Sequence, residues 1–324
     1  MPALTQHAAI QKMLDSSDDA LTQSTDDYVD DLLSKWTEFQ GRLENDIMMI
    51  RSRLPEKVTY SDFVRFQGDA KIEGAIAEQL KRLHVSVEQD RIDSLIAQYK
   101  DAYNVSAYAI DESTPPEVDI TYNLASDDQI KMFVSADWGD NMFVTRNAKE
   151  FYFLAQDIKK EVTLAMLQGQ SVQQLSKAIQ GVIGDEDSDY KYRSTRIART
   201  ELLRAANIAR NHLYDQNDEL ISKRIWVTRA LGDGRLCEDC AERAGKTYDE
   251  VEEIADEQEM EVDPPIHTTC GCTWMAVPKN PSEFLSPELS KGIKDFDTDN
   301  VKYNPPSYKS WADDYLTTAE RGNL

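Results

Sequence analysis

Cys237-Glu238-Asp239-Cys240 and, after 26 intervening residues, His267-Thr268-Thr269-Cys270-Gly271-Cys272 hold all four cysteines of a 324-residue chain. A Cys-x-x-Cys knuckle closes a tight turn whose two thiolates can converge on one Zn²⁺, and a second cluster containing His can complete a tetrahedron. Cys237, Cys240, His267, Cys270 and Cys272 are thus five candidates for four places. A structural zinc site is the expected reading. Two alternatives stay open: a disulfide or inert thiols, and a catalytic zinc with Glu238 or Asp239 as base. The opening Met1-Pro2-Ala3-Leu4-Thr5-Gln6 has no secretory character, so an oxidising compartment is not expected.

The surroundings of the cysteines are more specific than the cysteines. Ile197-Ala198-Arg199-Thr200-Glu201-Leu202 is followed by Ala206-Asn207, by Trp226-Val227-Thr228 and by Asp233-Gly234-Arg235-Leu236-Cys237. Gly245-Lys246, Pro264-Pro265-Ile266-His267 and a closing Val277-Pro278 complete the series. This order resembles the Mu F-like minor head proteins, or head-morphogenesis proteins, of tailed bacteriophages, over roughly residues 120 to 278. Gly271 stands where that family usually has a basic residue.

The resemblance implies a structural, non-enzymatic virion component, in the capsid interior near the portal and in the host cytoplasm during assembly. Implied roles are head assembly or genome delivery, and implied partners are the portal protein, the major capsid or scaffolding protein and packaged DNA. Within the motif Arg199, Glu201 and Trp226 are expected to be structural.

A formal charge of −23 repels a nucleic-acid backbone unless the positive charges are segregated. One segment is segregated. From Lys191 to Arg235 ten basic residues face five acidic ones, with Arg193, Arg196, Arg204 and Arg210 as candidate contacts to DNA or an acidic partner. The simpler reading is a solvated helix face. The sequence has no run of about 18 apolar residues, so no membrane anchor is expected.

Hydrophobic residues make up 40% of the chain, enough for two modest cores. The expected fold is mainly α, with a small α+β zinc-stapled C-terminal module. A polar tail (1–27) precedes a helical domain with a Pro-containing linker (28–117). A helical part of the Mu F-like domain (118–218), a zinc-binding module (219–278) and an extended tail (279–324) follow.

Val29, Leu32, Trp36, Phe39, Leu43, Ile47, Ile50 and Leu54 form one helical stripe, stopped by Pro55. Ser61-Asp62 is expected to cap a second helix through Leu83, and Ile92 to Tyr103 a third. Gly169 should end a helix carrying Leu154, Ile158 and Val162, and Ser171 should cap the next. Ile225 to Thr228 and Cys272 to Val277 are expected to pair as strands. Asp249 to Asp263 reads as an exposed acidic loop.

The tail's Phe296, Tyr303, Tyr308, Trp311 and Tyr315 suit either a docking peptide or a strap on the chain's own domain. No nucleophile elbow or phosphate-binding glycine loop is present. His212 is the one histidine near enough in sequence to serve a zinc-supported nuclease.

Overall fold

The computed structural model describes residues 6–114, 118–135, 143–183, 189–228, 237–267 and 270–279, with positions 313, 316, 317 and 320. The tail aromatics named above, Arg229, Arg235 and the Pro115–Pro116 part of the expected linker lie outside the described residues. In chain order the elements are α1 (Gln6–Ser52), α2 (Tyr60–Arg65), α3 (Gly68–Asp111), α4 (Asp127–Ser135), α5 (Phe143–Leu167), α6 (Val172–Ile183) and α7 (Asp189–Gln216). A 3-10 turn (Asp218–Leu220) leads to β1 (Ile221–Val227), α8 (Glu238–Arg243), α9 (Tyr248–Gln258) and β2 (Thr273–Pro278). The fold is mainly helical with a small antiparallel sheet near the C-terminus, as expected.

The chain divides into two compact units, one of Met1–Asp26, Ser94–Val134 and Arg199–Leu324, the other of Asp27–Asp93 and Ser135–Ala198. The divisions fall inside α1, α3 and α7 and near the end of α4, rather than at Pro115–Pro116.

In the unit of Asp27–Asp93 and Ser135–Ala198, Val29, Leu32, Trp36, Phe39, Leu43 and Ile47 are all buried, so the stripe on α1 is core. Ile72, Ile76, Leu80 and Leu83 of α3 and Leu154, Ile158 and Val162 of α5 are buried in the same unit, where Trp36 lies against Phe151 and Arg42 donates to Gln79. Gly169, at φ 67°, ends α5: the Gln170 N–H reaches the Ala165 carbonyl and the Gly169 N–H that of Met166, both orphan acceptors of the last turn. Ser171 caps α6 reciprocally with Gln174.

The second helix differs from expectation. Its cap is Thr59, whose hydroxyl accepts from the Asp62 N–H at 3.1 Å while Asp62 accepts the Thr59 N–H. α2 then ends at Arg65, and one unbroken α3 replaces the two expected helices. The corner between α2 and α3 is tight. Gln67 sits at φ 57°, and a Cβ on Gly68 would lie 2.2 Å from the Phe63 ring, which is itself buried.

In the other unit, α3 is buried on all sides from Asp101 to Ile110, including the polar Asp101, Asn104 and Ser106. Asn104 is engaged at both ends: its amide donates to the Glu320 carbonyl at 2.8 Å and its oxygen accepts from the Tyr122 hydroxyl at 2.8 Å. Leu316 is buried too, so the described residues of the tail act as a strap on their own unit. Val118 to Tyr122 forms no strand. Instead the Asn217 side chain serves Thr121 as a strand neighbour would, accepting its N–H at 2.7 Å and donating to its carbonyl at 2.9 Å. α1 begins at Gln6, well inside the stretch expected to be a polar tail.

Replacing Gly68 with Ala forces the buried Phe63 ring to move, so unfolding should show a loss of about 1–3 kcal/mol. At Gly74, mid-helix with nothing within 4 Å of a Cβ, the same change should gain about 0.5–1 kcal/mol. Equal effects at the two positions would contradict the corner geometry.

Candidate metal centre

Two short elements and two strand ends bring the cysteines together. Cys237 is the N-cap of α8, and its Sγ accepts the Cys240 N–H at 3.3 Å, the turn a Cys-x-x-Cys knuckle requires. On the far side, the Cys270 N–H bonds to the His267 carbonyl at 3.2 Å, and Cys272 immediately precedes β2. β1 and β2 pair antiparallel with Trp226 opposite Trp274. The two indoles are buried edge to face at 5.1 Å, a contact contributing roughly 0.5–1.5 kcal/mol beyond burial.

His267 Nε2 lies 3.0 Å from Cys237 Sγ and 3.1 Å from Cys240 Sγ, and Cys240 Sγ lies 3.7 Å from Cys270 Sγ. The ligand atoms form two triads, Cys237–Cys240–His267 and Cys240–Cys270–Cys272, each within 4.8 Å. Cys240 belongs to both. A tetrahedral zinc with Zn–S near 2.3 Å has S···S edges of about 3.8 Å, which Cys240 and Cys270 match. The imidazole contacts are shorter than the corresponding S···N edge of about 3.6 Å and have hydrogen-bond length. All four cysteines are free thiols, and Cys240, Cys270 and Cys272 are almost wholly buried. The cluster could hold a metal ion.

The electrostatics are those of thiols sharing protons. Hydrogen bonds from Cys240 and Cys272 hold the Cys270 thiol well below the ordinary thiol range, against the opposing effect of burial. Cys240 is raised, chiefly as donor to Cys270 and then to Cys272, with burial adding to both. A thiolate is the form that ligates a metal.

One face of α7 holds this assembly. Asn207 donates to the Cys272 carbonyl at 3.1 Å and accepts from the Thr273 hydroxyl at 2.7 Å, and Arg210 donates to that hydroxyl at 2.5 Å. Asn211 and the Trp274 indole N–H both donate to Asp263, at 2.9 and 2.8 Å. The spacing 207, 210, 211 is one polar helical stripe. Charge and polarity alone made it look like a wet surface.

The expected basic contacts divide accordingly. Arg210 is a correction: it is buried, and its guanidinium is engaged by Thr273 beside Cys272, so it offers nothing to DNA. Arg204 is half-buried and donates to the Val134 carbonyl at 3.2 Å, and burial lowers its pKa. Arg196 lies over the Tyr192 ring, and the exposed Arg193 pairs with Glu150 at 2.9 Å. Arg199 pairs with Asp26 at 3.0 Å, Glu201 is buried, and Trp226 is core.

Asp249 to Asp263 is also corrected. Most of it is helix α9, started by a reciprocal cap between Thr247 and Glu250 and anchored by buried Val251 and Ala255, one turn apart. The acids that suggested a loop line its outer face. α8 was likewise hidden by its charge.

Residues 156–275 match the family described as Phage Mu protein F like protein. That segment is similar to the Mu F-like proteins. It takes in Arg199, Glu201, Trp226 and the entire ligand cluster, and bears out the resemblance drawn from the motifs. No curated protein and no solved structure matches the chain significantly. Among the described residues, no helix is long and apolar enough to cross a membrane.

His212, the residue a nuclease would need, is held in an aromatic cage. Its Nδ1 meets the Tyr99 hydroxyl at 2.5 Å, its Nε2 meets the Gln216 amide at 3.0 Å, and Tyr103 and Phe133 pack edge-on against it. Burial holds its pKa below the ordinary value, against the opposing pull of Asp215. The unfolded chain therefore binds this proton more readily. Stability is unaffected above about pH 6.5 and falls as pH drops below it. An NMR titration should place His212 below the ordinary value of about 6.5, and a value at or above it would contradict the cage.

Proposed function

We propose that this chain is a structural minor head protein of a tailed phage, whose C-terminal lobe is stapled by one Zn²⁺. The observation that carries the reading is the convergence of Cys237, Cys240, His267, Cys270 and Cys272 inside the segment that matches the Mu F-like family. Cys240 is common to both triads, and Cys237, His267 and one of Cys270 and Cys272 complete four places around it. When bound, zinc supplies a rigid cross-link between the α8 turn and the entry to β2. The apolar core there is thin: Ile221, Trp226, Val251, Ala255 and Trp274 are its main buried members, so a metal staple substitutes for area.

In this role the protein works inside the capsid by association with the portal, in head assembly or genome delivery, without catalysis. The engagement of His212 by Tyr99 and Gln216 favours a structural role over a nuclease. Pairing also favours a protein partner over packaged DNA. Arg193, Arg199 and Arg224 are matched to Glu150, Asp26 and Asp215, which leaves less unbalanced positive charge for phosphate.

Purified heads should contain the chain in low copy, cross-linked to the portal. Heads assembled with Cys240→Ser should lose most of it, because the lobe no longer folds. Full-length chain absent from purified wild-type heads would overturn the proposal.

A further inference from the structure

Arg243 is the least expected residue in the C-terminal lobe: a guanidinium with no solvent exposure, in a lobe of few buried apolar groups. Its partners are the Asp239 carbonyl at 2.9 Å, the Gln258 side-chain oxygen at 2.8 Å and, more distantly, Met260 Sδ at 4.0 Å. None of these carries a negative charge. Glu242, the nearest acid in the network, is exposed and is reached only through Gln258. Arg243 Nε is buried with no hydrogen-bond partner among the described residues.

Arginine cannot shed its proton in a protein, and a buried cation without an opposing charge is strongly unfavourable. A group of sulfurs able to carry an opposing charge begins on the same helix. The two buried residues of α8 are Cys240 and Arg243, three apart and therefore neighbours on one face. A zinc bound by three thiolates and a neutral imidazole has a net charge of −1, and a four-thiolate site −2.

We infer that Arg243 is the buried counter-charge of the metal–thiolate cluster, so that metal loading and burial of this guanidinium stabilise each other. The inference rests on the zinc reading above and adds a constraint to it: the ligand set must be anionic, with at least three thiolates. Arg243 is a positioning and charge-balancing residue, and it touches no metal itself.

The coupling predicts opposite effects in the two states of the lobe. With zinc bound, neutralising Arg243 removes a favourable charge pair. Without zinc, the same change removes a buried cation that none of its hydrogen-bond partners neutralises, and an apolar side chain of similar length should be tolerated.

The test uses the full chain and zinc in competition with a chelator, for the wild type, Arg243→Met, Arg243→Gln and Arg243→Lys, with thermal unfolding followed in zinc and in excess chelator. The neutral variants should bind zinc about 10–100-fold more weakly. Arg243→Lys should recover much of that loss. Arg243→Met should melt below the wild type in zinc yet at or above it in chelator.

Equal destabilisation in both conditions, unchanged zinc affinity, or failure of both neutral variants to fold with or without zinc would make Arg243 a purely structural residue and overturn the inference. A wild-type chain that takes up no zinc would instead remove the zinc reading and the inference together.

Discussion

Cys240 is the point on which the C-terminal lobe closes. Its sulfur lies 3.1 Å from the His267 imidazole and 3.7 Å from Cys270, and it belongs to both ligand triads. The elements that carry the ligands or flank them in sequence are short: a six-residue helix, an eleven-residue helix and two strands. Such pieces do not bury enough apolar surface to hold themselves together. The tryptophan pair between β1 and β2 secures the sheet, but it does not join the α8 knuckle to the His267–Cys272 turn. The sulfurs and the imidazole do.

α7 extends that constraint outward. The helix carries the Ala-Arg-Thr-Glu motif and, about two to three turns later, Asn207, Arg210 and Asn211, which grip Cys272, Thr273 and Asp263. The motif and the cysteines thus belong to one construction. Charge follows the same logic. The lobe buries Arg210 and Arg243, while the acids of α9 face outward and leave the chain strongly anionic at its surface.

The features legible in sequence were those encoded locally. A Cys-x-x-Cys turn, Gly169 at a helix end, Ser171 at a helix start and an apolar stripe from Val29 to Ile47 each need only neighbouring residues to be read. The continuity of α3 is not legible because its apolar period lapses between Val87 and Ile92, where Arg91 is buried and paired with Glu88. The absence of any Gly or Pro in that gap was the available signal. α9 was missed because its acids outnumber Val251 and Ala255, although Thr247-x-x-Glu250 announces a cap. Arg210 was misread for a deeper reason: burial of a charge depends on what a distant segment places opposite it, here Thr273.

X-ray absorption at the zinc edge, on full-length protein purified under reducing conditions, tests the central claim most directly. The account predicts stoichiometric zinc in a four-coordinate shell, with at least three sulfurs near 2.3 Å and the remaining place filled by nitrogen near 2.0 Å or by a fourth sulfur. A shell of oxygen ligands, or no bound metal in protein that keeps its C-terminal fold, would contradict it.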